Sequence, residues 1–402
     1  MPFSEEQIPV PVTIMRGGTS KALFLKRSHL PGSRDELDRL ILALFGSPDK
    51  RQIDGLGGAD ILTSKCAIIG PPSRADADVD YTFAQVGIAD PVVSYDMNCG
   101  NISSAVGVYA IEEGFVLPQA PVTKVRIHNT NTRSVLIAHV PVRDGRPAVE
   151  GDCAIDGVPG TGAEIRLDFS RTVGTATGRL LPTGNARDRI PVPSLGREIE
   201  VSIVDLANLC VFFRAEDIGM HGSESPEEFP REKIRLFEEI RRAAARKIGR
   251  HEDSPLIPYQ IMVGKARDFR VFGTGERMGA ETHDFSARLV GMGSVHKAFP
   301  GTGACCAAVA ARIPGTVVDE ARTAPAHPEV VRIGHPSGCL RVPARVVRNE
   351  RGEWQVEEAA IARTARRLMD GTAYVRRSRL QPAGEVGTVG AGESGAKNMK
   401  TL

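Results

Sequence analysis

Alternating apolar and polar positions predict that strands make up most of the ordered chain. Six short segments are apolar at every second position or rich in β-branched residues, and they read as strands. These predicted strands are residues 11–15, 21–25, 66–69, 79–86, 122–128 and 135–142. The 42 glycines of the chain indicate many tight turns among them.

Helical spacing of apolar residues is clearest in two amphipathic segments. The first predicted helix starts at the capping box of Ser33 and Glu36 and ends at Gly46. The second carries many charges and is expected to start at residues 225–228 and to stop at Gly249. Both helices should therefore bury one face and leave the other in solvent.

Two further predicted helices suggest an internal repeat. They run from Cys99 to Gly114 and from about Ala304 to Ile313, and their small apolar residues predict that both are buried. The turn at 99–102 aligns with the turn at 300–303, and fifteen residues after its first position each segment reaches a glycine. Each half would then carry a glycine turn ahead of a buried helix. The 402 residues exceed one ordinary core, so we expect two domains.

The composition excludes several classes of partner. Lys and Arg number 51 and Asp and Glu 49, so the net charge of +2 creates no field for nucleic acid or an anionic membrane. The apolar run from Ala304 to Ala311 is too short to span a membrane, and the first residues lack a secretory pattern. Seven cysteines without a regular framework are typical of reduced thiols, which predicts a cytoplasmic protein.

Two residues are candidates for acid–base chemistry. Cys99 lies between Asn98 and Gly100 at the start of a predicted helix, where free N–H groups and the helix dipole stabilise a thiolate. Lys65 follows a glycine-rich stretch and begins an apolar strand, so we expect desolvation to favour its neutral, basic form. The simpler interpretations are a small buried hydrophobe for the cysteine and an exposed amine for the lysine.

Three turns combine groups that bind anions. Residues 16–21 place a guanidinium, two hydroxyls and backbone N–H groups together, which suits a carboxylate or phosphate but does not match a Walker loop. Residues 301–303 precede a buried helix, and helix starts bind anions. The turn at 335–338 is a weaker candidate for a ligand contact. Since dinucleotide, zinc and serine-nucleophile motifs are weak or lacking in the sequence, we predict no cofactor and no metal.

Nine segments resemble the PrpF family, and they occur in order over nearly the whole chain. That family includes 2-methylaconitate isomerases, methylitaconate isomerases and 4-oxalomesaconate tautomerases. The segments are Met-Arg-Gly-Gly-Thr-Ser-Lys (15–21), Gln-Ile-Asp-Gly-Leu-Gly-Gly (52–58), Thr-Ser-Lys (63–65), Asp-Ala-Asp-Val-Asp-Tyr (76–81), Asn-Cys-Gly-Asn (98–101), Leu-Pro-Thr-Gly-Asn (181–185), Ile-Pro-Gly-Thr (313–316), His-Pro-Ser-Gly (335–338) and Arg-Thr-Ala-Arg-Arg-Leu-Met-Asp-Gly (363–371).

The resemblance implies an α+β fold of the diaminopimelate-epimerase type. Two pseudo-symmetric domains would each wrap a curled antiparallel sheet around a central helix, with the site between them. The first domain would comprise residues 1–184 and 368–386, and the second residues 185–367. Residues 387–402, rich in Gly, Ser and Ala, are expected to be a flexible tail. The resemblance also implies paired strands at 360–375, where composition alone favours a helix.

The resemblance further implies a cofactor-independent isomerase that moves a proton, and with it a C=C bond, in a small unsaturated di- or tricarboxylic acid. The positions that match the family's implicated lysine and cysteine are Lys65 and Cys99. Segments 51–60 and 335–338 slightly favour 4-oxalomesaconate over 2-methylaconitate. The residues expected to bind the substrate are Arg16, Gly17, Gly18, Thr19, Ser20, Ser64, Asn98, Gly100, Asn101, Gly301, Thr302, Gly303, His335, Ser337 and Gly338.

Two other functions stay open at this point. Epimerases of this fold are similar to the chain but use two cysteines, one from each half, and here Pro300 occupies the second position. Proline cannot exchange a proton, so an amino-acid epimerase or racemase is disfavoured. The other alternative is a non-catalytic accessory protein on the same fold. The sequence leaves homo-oligomerisation open, and it does not decide whether Lys65 or Cys99 is the base.

Overall fold

The structure, a computed structural model, describes residues 6–254, 257–291, 293–323 and 327–381. Within these residues it contains 23 β-strands and five α-helices. The predicted flexible tail, residues 387–402, lies outside the described residues.

The helices are α1 (Arg34–Phe45), α2 (Gly100–Glu112), α3 (Arg231–Lys247), α4 (Gly301–Ala310) and α5 (Val317–Ala321). The strands of the first half are β1 (Gln7–Gly17), β2 (Ser20–Lys26), β3 (Lys65–Gly70), β4 (Val79–Val86), β5 (Val93–Ser94), β6 (Val122–Asn129), β7 (Ser134–Arg143), β8 (Arg146–Pro147), β9 (Cys153–Ala154), β10 (Thr161–Gly162) and β11 (Ile165–Asp168). They are followed by β12 (Asp188–Val192), β13 (Arg197–Leu206), β14 (Asn208–Arg214), β15 (Tyr259–Lys265), β16 (Phe269–Arg270), β17 (Arg277–Met278), β18 (Phe285–Gly291), β19 (Ser294–Val295), β20 (Val330–His335), β21 (Gly338–Arg348), β22 (Trp354–Arg363) and β23 (Ala365–Arg376).

Nineteen of the described strands form one continuous hydrogen-bonded ribbon. Its order is β23-β1-β2-β3-β4-β6-β7-β11-β22-β21-β20-β18-β15-β14-β13-β12, with β5, β8 and β19 paired beside β4, β7 and β18. The pairs β2–β3, β4–β6, β14–β15 and β18–β20 are parallel, and the others are antiparallel. The six strands predicted from alternation all occur, as β1–β4, β6 and β7.

The ribbon curls around two buried helices. Helix α2 contacts β23, β1, β2, β3, β6, β7, β8 and β11, whereas α4 contacts β22, β21, β20, β14 and β13. Residues 100–111 and 301–310 are all buried, which confirms the prediction of two buried helices. Small residues allow the strands to come close, since a Cβ on Gly107 would lie 2.9 Å from Val140 Cγ2. Helix α4 begins at Gly301, three residues before the predicted start, so the glycine turn itself forms its first turn.

The amphipathic helices lie on the outside of the ribbon. The hydroxyl of Ser33 accepts the Glu36 N–H ahead of α1, and Gly46 ends that helix with φ 73°, as predicted. Each helix buries one apolar stripe, Leu37 to Phe45 in α1 and Leu236 to Ala245 in α3.

The predicted start of the second amphipathic helix is wrong. The Ser225 hydroxyl accepts the Glu227 N–H at 3.1 Å in a local turn, and the helix begins only at Arg231. Pro230 explains the delay, because it disfavours the helical region for the residue before it and tolerates a position at the helix start.

Residues 360–375 form strands, as the resemblance implied, although these strands do not pair with each other. β22 pairs with β21 and β11, whereas β23 pairs with β1. The domain boundary predicted at 367/368 therefore falls inside β23, and the pairing of β22 with β11 joins strands that were assigned to different domains.

Candidate active site

The N-termini of the two buried helices meet. A Cβ on Gly100, the first residue of α2, would lie 2.9 Å from the Thr302 backbone nitrogen in the first turn of α4. Cys99 and Pro300 are the N-caps, and neither helix start has a capping side chain. The first N–H groups of both helices therefore keep their positive ends directed at one place, where an anion is favoured.

A narrow cavity of about 30 Å³ lies at these helix starts. A volume of this size accommodates about two water molecules, so the cavity is narrow. Lys65 and Cys99, the two residues predicted to carry the chemistry, both line it. The full lining is Ser20, Ile61, Lys65, Gln85, Met97, Cys99, Asn101, Tyr259, Leu289, Gly291, His296 and Pro300.

Lys65 is a buried amine that is hydrogen-bonded to one side chain and lies over the ring of Phe83, 5.3 Å from its centroid. It begins β3 with 5% of its surface exposed, and its Nζ donates to Gln85 Oε1 at 2.6 Å. Burial lowers the pKa of Lys65, and the neighbouring Cys99 and Asp60 oppose that shift only in part. The side-chain nitrogen of Gln85 donates in turn to the Ser64 carbonyl, which fixes the acceptor. The predicted desolvation of Lys65 is thus present in the structure.

Cys99 is positioned by a network that joins the two helix starts. Asn98 donates its N–H to Asn208 Oδ1 at 3.1 Å and accepts, at its carbonyl, a hydrogen bond of 2.9 Å from Asn208 Nδ2. Asn208 Nδ2 also donates to Thr302 Oγ1 at 3.0 Å. Sequence reasoning missed Asn208, because its partners are about a hundred residues away in either direction and no local motif marks them.

The predicted anion turn between β1 and β2 divides into two groups of residues. Ser20 lines the cavity, and its buried hydroxyl has no hydrogen-bond partner among the described residues. Thr19 accepts a hydrogen bond of 3.0 Å from Asn101 Nδ2, and Asn101 also lines the cavity. Gly17 and Gly18 approach Asn101 so closely that a side chain at either position would clash with it.

Arg16 does not face the cavity. Its guanidinium donates to the carbonyl oxygens of Gly18 and Thr364, at 3.0 and 2.8 Å, and burial lowers its pKa. Ser64 does not line the cavity either, and its hydroxyl donates to Gln52 Oε1 at 2.9 Å. Both residues hold loops in place.

The turn at 335–338 lies behind the cavity lining. His335 stacks against Phe299 with ring centroids 6.5 Å apart, and burial holds its pKa well below 6.5. Ser337 donates to the Lys297 carbonyl at 2.6 Å. Gly338 has φ 136° and leaves room for the Asp156 carboxylate. None of these residues is part of the lining, nor are Gly301, Thr302 and Gly303, which adjoin it through the first turn of α4.

The opposite wall adds residues that the sequence did not indicate. Tyr259 donates to Met97 Sδ at 3.2 Å. Burial, with the nearby charge of Lys65, lowers the pKa of His296 to about 4, so its imidazole is neutral at pH 7. Asp60 and Lys297, which flank the lining residues Ile61 and His296, form an ion pair of 2.5 Å.

Among the described residues, no group of three or more His, Cys, Asp and Glu side chains is arranged to hold a metal ion. No helix in that part of the chain is long and apolar enough to cross a membrane.

The fold and the site define a class of protein. The chain is similar to a solved structure of a hydroxyproline epimerase from Agrobacterium vitis, with a TM-score of 0.55 and 13% identity. The similarity covers 93% of each of the two chains and establishes the shared fold. The chain thus has the α+β fold of that epimerase, and of its two helix-start positions Cys99 carries a thiol whereas Pro300 does not.

The particular family is also established. The family model described as PrpF protein matches residues 7–376, and the chain belongs to that family. It is 48% identical to the 3-methylitaconate isomerase of Eubacterium barkeri, over 93% of this chain and 99% of that protein. It is 37% identical to the 4-oxalomesaconate tautomerase of Pseudomonas putida, over 92% of this chain and 97% of that protein. A crystal structure of methylitaconate-delta-isomerase covers 94% of this chain and 99% of its own, with a TM-score of 0.75 and 47% identity. The chain is an isomerase.

Proposed function

We propose that this isomerase shifts a C=C bond within a small unsaturated dicarboxylic acid, with Lys65 and Cys99 as the acid–base pair. The observation that carries the proposal is that both side chains line one narrow cavity at the meeting point of two uncapped helix starts. This arrangement combines proton transfer with a strong preference for anions.

The chemistry needs one group to remove an allylic proton and a second to return a proton two carbons away. Lys65 and Cys99 together hold one mobile proton, either as amine and thiol or as ammonium and thiolate. Each of these states contains one base and one acid, so the pair can run the shift in both directions. The proposal does not assign which residue acts first.

The N–H groups at the two helix starts would bind the substrate carboxylates and stabilise the negative charge that develops during the reaction. Removal of the allylic proton spreads negative charge over a dienolate, and fixed donors aimed at that charge are the largest source of stabilisation in such sites. The unpartnered Ser20 hydroxyl and the first N–H groups of α2 and α4 are donors of this kind.

Two observations bear on the alternatives. An epimerase that exchanges a proton on both faces of one carbon needs an acid or base from each helix start, and Pro300 has none to offer. A non-catalytic accessory protein has no use for a buried lysine with a lowered pKa in contact with the ligand cavity, and such lysines are typical of catalytic sites.

The substrate we propose is of the methylitaconate type. The identity of 48% to a protein with that name, against 37% to the tautomerase, favours it. Segments 51–60 and 335–338, which favoured 4-oxalomesaconate, lend that substrate little support, because none of their residues lines the cavity. In 3-methylitaconate the proton on the methyl-bearing carbon is both allylic and adjacent to a carboxylate, as the mechanism needs.

The test is a proton NMR panel with 3-methylitaconate, 2-methylaconitate, cis- and trans-aconitate and 4-oxalomesaconate. We expect the wild type to convert the vinyl signal of 3-methylitaconate into a methyl signal. Cys99→Ala and Lys65→Met should each lower the rate by about 10²- to 10⁴-fold, the usual contribution of general acid–base catalysis.

Cys66→Ala is the matched control, since Cys66 is a fully buried thiol next to Lys65 that packs in a separate apolar cluster and does not line the cavity. It should retain the wild-type rate. No turnover of any acid, or full turnover by Cys99→Ala, would sink the proposed function.

We further propose that the protein works in the cytoplasm. All seven cysteines are free thiols, which supports this location. Homo-oligomerisation stays a prediction that light scattering of the purified protein would check.

A further inference from the structure

Arg363 is a buried guanidinium without a carboxylate beside it. It ends β22 with 3% of its surface exposed, and burial lowers its pKa to about 10. Among the described residues no carboxylate oxygen lies within the 4.0 Å of an ion pair. Arg241 is equally buried but pairs with Glu238 at 2.6 Å. A buried charge without a counter-ion is unfavourable, so the position of Arg363 calls for a reason.

Its hydrogen bonds orient a residue of the cavity wall. Arg363 Nε donates to Asn101 Oδ1 at 2.8 Å, and Nη1 donates to the Ala362 carbonyl at 2.8 Å. The bond to Oδ1 fixes which way the Asn101 amide points, so that Nδ2 donates to Thr19 Oγ1. The Thr19 hydroxyl thus accepts from Asn101 and keeps its own proton for another acceptor.

The guanidinium also lies beside both helix starts. Its Nη2 is 3.5 Å from the point where a Cβ on Gly301 would lie, in the first turn of α4. Its Cδ is 2.9 Å from the corresponding point on Gly18, and Asn101 belongs to the first turn of α2. Each helix start carries about half a positive charge. Three positive groups therefore lie close together, and no carboxylate of the described residues forms an ion pair with the guanidinium among them.

We propose that Arg363 is a positioning and specificity residue for a substrate carboxylate. It locks the Asn101 amide and, together with the two helix starts, supplies the positive potential that makes the site select doubly charged acids over singly charged ones. The inference rests on the proposed function, because it names the feature of the substrate that this same site would recognise.

The experiment compares wild type, Arg363→Gln and Arg363→Lys by calorimetric binding of succinate, a dianion, and butyrate, a monoanion. Arg363→Gln should weaken succinate binding by about 10- to 100-fold, the range for losing an interaction with a charged group, and butyrate binding by less than about tenfold. Arg363→Lys keeps the charge but loses the Nε bond to Asn101, so it should recover part of the selectivity.

The kinetic constants provide a second readout. A carboxylate is bound in both ground and transition states, so we expect KM for 3-methylitaconate to rise much more than kcat falls. The control is Arg288→Lys, because Arg288 is as buried and donates to the main-chain oxygens of Glu224 and Ala287. It should lower Tm and leave the selectivity for succinate unchanged.

The outcomes separate this inference from the proposed function. If both Arg363 variants bind succinate as tightly as wild type and lose only Tm, Arg363 is a structural residue. If Arg363→Gln does not fold, unchanged succinate binding by Arg363→Lys overturns the inference equally well, and a loss of at least about threefold supports it. Arg363-dependent succinate binding without turnover of any acid would leave this inference standing while the proposed function fails.

Discussion

At the residue scale, the amine of Lys65 contacts Gln85, which accepts its hydrogen bond, and the ring of Phe83, whose centroid lies 5.3 Å from Nζ. Gln85 Oε1 accepts its hydrogen bond at 2.6 Å, and the Gln85 amide is itself held by the Ser64 carbonyl. Burial lowers the pKa of Lys65, and Cys99 and Asp60 oppose that shift only in part, so an uncharged acceptor at position 85 adds no full charge in support of the ammonium. The identity of residue 85 should therefore influence the pKa of Lys65.

The first prediction at this scale concerns Gln85→Glu. A carboxylate next to Lys65 favours the ammonium and raises the lysine pKa, so the proton shared with Cys99 is lost only at higher pH. The bell-shaped profile of kcat/KM should move upward by about 1–3 pH units. Gln85→Leu removes the acceptor without adding charge and should move the profile downward. If both variants kept the pH profile of the wild type, Lys65 would not titrate in the reaction.

At the element scale, the contact between α2 and α4 explains why a glycine begins α2. Backbone atoms of Gly100 and of the first turn of α4 approach within a distance that no side chain tolerates. The approach brings two positive helix ends together, and the Asn208 side chain bridges them with hydrogen bonds to the Asn98 backbone and to Thr302. The elements thus tolerate an electrostatic repulsion that a bound anion removes.

Gly100→Ala tests this close approach. The new Cβ would lie 2.9 Å from the Thr302 nitrogen and push the helix starts apart, and displacements of about 1 Å can lower rates by about 10²-fold. Gly107→Ala is the control in the same helix, because its Cβ would lie 2.9 Å from Val140 Cγ2, away from the cavity. Calorimetry should show reduced Tm for both variants, whereas kcat/KM should fall only for Gly100→Ala. A Gly100→Ala variant with normal kcat/KM would contradict the role given to the contact.

The sequence predicted the strands and helices better than it predicted which side chains of distant elements contact each other. The strands were recognisable because alternation is a local property, and Cys99 was recognisable because a cysteine at a helix start is a local motif. Gln85, Asn208 and Arg363 were not, since their roles depend on which distant side chain they reach. Arg16 shows the reverse case: the turn was identified, but the sequence could not reveal that carbonyl oxygens of its surroundings satisfy the guanidinium.

At the scale of the whole molecule, an ion pair between distant segments lies beside the site. Asp60 lies in the loop before β3, and Lys297 lies between β19 and α4. Their neighbours Ile61 and His296 both line the cavity. A cavity of about 30 Å³ is too small for a dicarboxylic acid, so we expect these segments to separate when substrate enters.

Asp60→Asn should make this separation more frequent. A partly exposed ion pair contributes about 0.2–1 kcal/mol, so we expect iodoacetamide to alkylate Cys99 about two to five times faster than in wild type. Peptide mass spectrometry can follow that one thiol among the seven. Asp76→Asn removes an exposed pair with Arg74 far from the cavity and should leave the rate unchanged. Equal alkylation rates in all three proteins would show that the pair does not hold the site closed.

The two uncapped helix starts have a practical consequence for work with this protein. An empty receptor with converging positive ends accepts whatever small anion the solution offers, and any such ion that binds the folded state also raises its melting temperature. Citrate, phosphate and sulfate buffers would then act as competitive inhibitors and as stabilisers at once. Kinetic constants measured in them would describe displacement of the buffer ion as much as recognition of the substrate, and storage conditions that preserve the protein best would be those that mask its activity.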